Sequence, residues 1–272
     1  MKSLQWFWVL SILFFCGQLP AQDMLPTGKA DFLTFGAGFP LHTVRDNAHS
    51  VLRYRGTGSR LFFRYEKYNG KYLSRFGITI DNASLKTGIK PKRDVSSKAK
   101  LNDVQFNWGW FARMGDAADG MTERRYIGFT YNIHLNNRSY PLPTNNTTGV
   151  LIHSGLGVSL LDTRIVESAK WTANTWVDIP LINAVFRPNY TGLPDLLHVQ
   201  KVKTKDVLKG FELGTVNKLF KISVGAEFDR FRQPWRTERF AWEWQFIHTP
   251  LPRYKPLSST SGSLMYGLRV KR

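Results

Sequence analysis

The side chains with the most chemical potential in this sequence are His134, His153 with its neighbour Ser154, the acid pair Glu227 and Asp229, and several clusters of lysine. A histidine activates a serine only within hydrogen-bond reach, which in an extended chain means the same face. His153 and Ser154 are adjacent, so in a strand they point to opposite sides, and the nearest same-face hydroxyl is Ser159, six residues on. Both histidines are therefore read as polar lining and not as catalysts. Glu227 and Asp229 share a face with Lys221, and neighbouring segments would add Glu243, Arg269 and Lys271. Opposite charges gathered in a narrow interior pair with one another. These six residues form a candidate internal charge network, with a permeant or ligand site as the alternative. No His-Glu-x-x-His occurs, no glycine-rich phosphate loop opens a helix, and Gly36-Ala37-Gly38 is only a fragment of one. Cys16 is the single cysteine, so cysteine-built metal sites are excluded. No metal or cofactor is indicated.

The elements that must carry these groups alternate with period two. Val104, Phe106, Trp108 and Trp110 are separated by Gln105, Asn107 and Gly109, and the frame continues through Ala112 and Met114 with Phe111 as the bulky exception. Ile127, Phe129, Tyr131, Ile133 and Leu135 repeat the pattern, as do Phe240, Trp242, Trp244 and Phe246, and Leu264, Tyr266, Leu268 and Val270. Each run is a strand with one apolar and one polar face. Such runs of roughly 10 to 15 residues exceed the soluble mean of about 5–6 and suit a tilted crossing of a bilayer. Their polar faces are rich in Gly, Ser, Asn and charge, and Trp and Tyr recur near the run ends, as in interfacial girdles.

Ten strands are expected, near 31–39, 49–67, 70–82, 101–114, 124–136, 148–161, 171–185, 215–230, 236–248 and 262–271, with a bulge at Gly56-Thr57-Gly58. Splitting the second strand or the 186–214 region would make twelve. Connections of about 9, 18, 11, 29 and 13 residues alternate with shorter ones of about 2, 9, 9 and 5, the pattern of a barrel with short periplasmic turns and long outer loops. The fold class is all-β: a closed antiparallel up-and-down transmembrane β-barrel. A soluble sandwich shares the period and stays open as the alternative.

At the N-terminus, Lys2 precedes an apolar stretch from Trp6 to Phe15 and a small-residue site at Ala21. This reads as a secretory signal peptide over 1–21, leaving a single barrel domain over 22–272. The formal net charge of +18 would ordinarily raise nucleic acid as a partner, but export argues against it. Lys86, Lys90, Lys92, Arg93, Lys98 and Lys100 crowd one expected outer loop, and Lys201, Lys203, Lys205 and Lys209 another. Outer-loop cations, Lys90, Lys92, Arg93, Lys203 and Lys205 in particular, would meet the phosphates of lipopolysaccharide; a solvated loop with no specific partner is the alternative.

The stretch from Val51 to Gly58 (Val-Leu-Arg-Tyr-Arg-Gly-Thr-Gly) followed by Tyr65-Glu66-Lys67 resembles the opening strands of Bacteroidetes-type outer-membrane β-barrel proteins of unassigned role. Asp178-Ile179-Pro180-Leu181 with Arg187-Pro188-Asn189-Tyr190, the Ala21-Gln22 site and the closing Tyr266-Gly267-Leu268-Arg269-Val270 are similar to such proteins too. Many outer-membrane barrels end in an aromatic residue, and this chain ends Lys271-Arg272. The resemblance implies a fold and a membrane, and no chemistry. Among barrel enzymes, the outer-membrane phospholipase pattern needs a histidine and serine two apart, and the omptin protease pattern needs paired acids and an Asp–His pair; neither Asp-x-His nor Asp-x-Asp occurs. The expectation is a non-enzymatic outer-membrane protein, a narrow pore or a scaffold for a partner of unidentified kind at the cell surface. A barrel enzyme acting on lipid or lipopolysaccharide, and a secreted carbohydrate-binding sandwich, are the alternatives.

Overall fold

The computed structural model describes residues 28–48, 50–88, 98–115, 123–140, 148–166, 171–187, 211–233, 235–251 and 255–272. They form β1 (Lys29–Asp46), β2 (Ser50–Asn69), β3 (Tyr72–Lys86), β4 (Lys98–Met114), β5 (Glu123–Ser139), β6 (Thr148–Val166), β7 (Trp171–Phe186), β8 (Glu212–Thr215), β9 (Phe220–Gln233), β10 (Arg236–Thr249) and β11 (Leu257–Lys271). All pairings are antiparallel; consecutive strands pair except β8 and β9, both of which pair with β7, and β1 pairs with β11, so the sheet closes on itself. Short β8 and long β9 share one place in the wall: β8 pairs with Ile182–Val185 of β7, and β9 pairs with Trp171–Asp178 of the same strand. The result is a closed antiparallel barrel of ten strands. Closure removes the open edges that a sandwich would keep.

Alternation assigns the two faces as the sequence predicts. Phe39, Trp108, Phe129 and Leu264 point outward, with Phe39 79% and Leu264 66% exposed. The residues between them are buried inside, among them Thr130, Asn132, His134 and Asn136 on β5. Where a bulky ring points inward, a glycine on the adjacent strand leaves room. Gly225 lies opposite Trp176, and a Cβ there would sit 2.5 Å from the Trp176 ring. Phe111 lies opposite Gly128 in the same way. The β2–β3 hairpin closes on Gly70 and Lys71, with Gly70 at φ 59° as a tight two-residue turn demands.

Three expectations are corrected. The strands run longer than the sequence pattern marks, so β1 extends to Asp46 and its connection to β2 is only residues 47–49. The expected first strand stops at residue 39, yet the ladder to β11 runs on through Pro40, while the ladder to β2 skips Phe39 and Pro40 and resumes at Leu41 in unchanged register. No bulge occurs at Gly56–Gly58. The register there is continuous, and the glycines are needed because a Cβ would fall within 1.9 Å of the Ser84 carbonyl oxygen at Gly56 and 2.0 Å of the Asn82 oxygen at Gly58. The shifts occur instead at Arg45/Asp46, at Leu156/Gly157 beside Pro180, which has no N–H for the ladder, and at Arg236/Thr237. Finally, the expected 215–230 strand is broken by a turn in which the Lys218 and Leu219 N–H groups donate to the Thr215 carbonyl. The expected signal peptide, residues 1–21, lies outside the described residues.

Candidate functional site

The inward side chains are layered along the barrel axis. Toward the end where β1 begins and β11 ends, Leu73, Phe111, Tyr126, Leu161 and Trp176 pack into an apolar cluster joined by Tyr68. Toward the opposite end lies a larger apolar layer, with Val44, Tyr54, Leu85, Leu101, Tyr140, Leu151, Leu219, Ile247 and Leu257 all nearly inaccessible. Polar and charged groups fill most of the interior between them, beside a small apolar cluster of Phe62, Ala241 and Met265.

Two arginine-centred networks cross this interior. In the first, Arg239 meets Asp229 at 2.7 Å, and Glu227 and Glu66 at 3.3 Å each. Arg269 reaches Glu66 at 3.1 Å and Asp229 at 3.2 Å, Arg75 reaches Glu66 at 2.9 Å, and Arg64 donates to Glu227. In the second, Arg60 grips Asp81 with two hydrogen bonds of 2.7 Å and donates to Glu243 at 2.8 Å and to the Ser263 hydroxyl at 2.7 Å. His42 lies 3.3 Å from Asp81. Nearby, Asp103 accepts from Asn136 at 2.7 Å and contacts His134 Nε2 at 2.7 Å, and His134 Nδ1 is 3.1 Å from His153 Nε2. With His134 donating to Asp103, its Nδ1 accepts from His153, whose own Nδ1 has no partner among the described residues.

A cavity of about 70 Å³ lies among Arg64, Arg75, Gln105, Asn107, Asn132, Asp178, Lys221, Ser223, Glu243 and Gln245. That is room for roughly five waters. Asn107 lies in the inward frame of Asp103 and Gln105 yet is exposed, because it faces this space. The Asn132 side-chain carbonyl oxygen and the Thr130 hydroxyl, also lining it, have no hydrogen-bond partner among the described residues.

The six expected network residues divide. Glu227, Asp229, Glu243 and Arg269 are interior and ion-paired, but of the acids only Asp229 takes a partner from the expected set, Arg269. Glu227 pairs with Arg64 on β2 and with Arg239 on the adjacent β10, and Glu243 pairs with Arg60 on β2. Lys221 is buried and faces the cavity, with no carboxylate within 4 Å among the described residues. Lys271 is exposed at the strand end, where its backbone N–H donates to Trp235. Lys90, Lys92, Arg93, Lys203 and Lys205 lie outside the described residues. Sequence reasoning missed Arg239, Glu66, Arg60, Asp81 and Asp103, although the frames of Phe240, Phe62, Ile80 and Gln105 assign each of them inward. It also missed the Asp–His pair, because Asp103 and His134 meet diagonally across β4 and β5 and no spacing within one strand encodes that.

Among solved structures the chain is similar to the outer membrane protease OmpT from Escherichia coli, with a TM-score of 0.53 over 92% of this chain and 100% of that one. The fold is that of a bacterial outer-membrane β-barrel. Identity with OmpT is 6%, so the likeness is one of fold alone. The translocator domain of the autotransporter NalP from Neisseria meningitidis aligns over 99% of this chain and 94% of that one, at 9% identity and a TM-score of 0.42. No protein-family model and no curated protein sequence matches the chain. In such a fold the outward apolar band faces lipid, and the two apolar layers lie inside the lumen.

Proposed function

We propose that this protein is a plugged, non-enzymatic barrel of the outer membrane, exported by its N-terminal segment, that acts as a scaffold at the cell surface. The carrying observation is the layering of the lumen: apolar clusters near both ends bracket a middle in which Arg60 and Arg64 of β2 are bonded to Glu243 of β10 and Glu227 of β9, strands that are not neighbours of β2 in the wall. A barrel of ten strands has little bore to begin with, since eight already fill with side chains and wide channels need about 16. Charges bonded across such a bore cannot part cheaply, because each would be left buried and unpaired.

The Asp103–His134–His153 chain favours the enzyme reading most. It supports that reading weakly: no hydroxyl is hydrogen-bonded to either histidine among the described residues, and the chain is buried beside the apolar layer. Conductance of the refolded protein in planar bilayers tests the proposal. Wild-type protein is expected to give little steady current, and porin-like conductance would refute the plug. Hydrolysis of lipid or lipopolysaccharide that is lost on His134→Ala would refute the non-enzymatic part.

A further inference from the structure

The outward face of the wall is charged very differently at its two ends. At the end where β1 begins and β11 ends, cations and acids are mixed: Arg164 contacts Asp162 at 2.8 Å and Glu123 at 3.4 Å, Arg125 lies 3.6 Å from Asp162, and Arg232 meets Glu238 at 3.0 Å. At the opposite end, β1 to β4 present Arg45, Arg53, Arg55, Lys86, Lys98 and Lys100, all exposed. No Asp or Glu occupies an outward position on that half of these four strands. Several of the cations are cross-strand partners: Arg45 faces Arg53, and Arg55 faces Lys86. Like charges directly opposite in a ladder repel. A continuous cationic stripe on one wall therefore carries a cost that a bound anion would remove.

The rows beneath the stripe define that anion. Moving toward the middle of the wall, the outward positions become Thr43, Thr57, Ser59, Ser84, Asn82 and Asn102, and then Leu41, Leu61 and Ile80. One surface thus presents, in order, acyl-contacting side chains, hydroxyls and amides, and cations. We infer that β1–β4 carry a binding site for a phosphorylated glycolipid of the outer leaflet. Its acyl chains lie against Leu41, Leu61 and Ile80, its sugars face the hydroxyl and amide rows, and its phosphates bridge Arg45, Arg53, Arg55, Lys86 and Lys100. The site lies on the barrel wall and is independent of whether the lumen conducts.

The test uses full-length protein in phospholipid vesicles with and without lipopolysaccharide, reading the midpoint of heat-modifiability on a gel. Lipopolysaccharide should raise the wild-type midpoint, because a ligand of the folded state stabilises it. The rise should persist in a control variant, Lys67→Ser, at the other end of the wall. It should fall by roughly half or more in the combined variant Arg53→Ser, Arg55→Ser, Lys86→Ser. Should that variant fail to fold, wild-type protein decides: dephosphorylated lipopolysaccharide should give no rise, and the rise with intact lipid should shrink as salt is added. No rise with intact lipid, an equal rise with dephosphorylated lipid, or an undiminished rise in the combined variant would overturn the site.

Discussion

At the level of single residues, the lumen ranks its own substitutions. Asp81 takes both hydrogen bonds of the Arg60 fork and also faces His42, whereas Glu243 takes one further contact from the same guanidinium and borders the cavity. Removing a partner from a buried pair costs about 3–5 kcal/mol because the remaining charge has nowhere to go. Asp81→Ala should therefore melt earliest, Glu243→Ala next, since cavity water can take over its contact, and lipid-facing Phe246→Leu latest, all read as gel-shift midpoints. Equal midpoints for Asp81→Ala and Phe246→Leu would show that the network contributes nothing to stability. Of this chemistry, the sequence reveals which residues face inward. It does not reveal their pairs: Glu227 reaches Arg64 from the far side of the barrel, with a sequence separation of 163, and local spacing carries no information about such a contact.

Among the elements, the inward rings and the glycines opposite them are the fitted parts. Trp176 lies over Gly225 between β7 and β9, where even a Cβ would come within 2.5 Å of the ring. Gly225→Val should displace the ring, loosen the apolar cluster that Trp176 shares with Phe111 and Leu161, and lower the midpoint by an amount comparable with overpacking a core, about 1–3 kcal/mol. Gly262→Val, at a glycine whose nearest foreign atom would be 4.0 Å from the added Cβ, is the matched control and should cost less. If both variants melt alike, close packing on Gly225 is not what fixes the ring. Strand existence and facing were legible in the alternation. Strand ends were not, because Pro40 and the Gly56–Gly58 run look locally like interruptions and the neighbouring ladders override them.

For the molecule as a whole, the tryptophans report which side of the wall is wet by lipid. Trp108 and Trp242 are 53% and 43% exposed outward, and Trp176 is buried inside. Brominated lipids should quench most of the emission, and Trp176→Phe should remove mainly the unquenched remainder. A Trp176→Phe variant that loses quenched emission instead would place that ring on the lipid side and invert the facing.

Period two is a property of the backbone, so the sequence by itself determined that the chain is a series of long amphipathic strands with one apolar and one polar face; that ten of them close on one another was decided by the pairing of β1 with β11 and of β6 with β7. The cationic rim was half legible: Lys86, Lys98 and Lys100 stood out as a cluster, but were assigned to a loop because the strands were read too short. Only the tertiary structure decided that Arg45, Arg53 and Arg55 join them on one wall, and that Arg60, Arg239 and Glu66 close the lumen. Both follow from register and closure. These set which strands are neighbours and which residues face each other across the bore, and they are fixed by the summed pairing of the whole barrel and not by any segment of it.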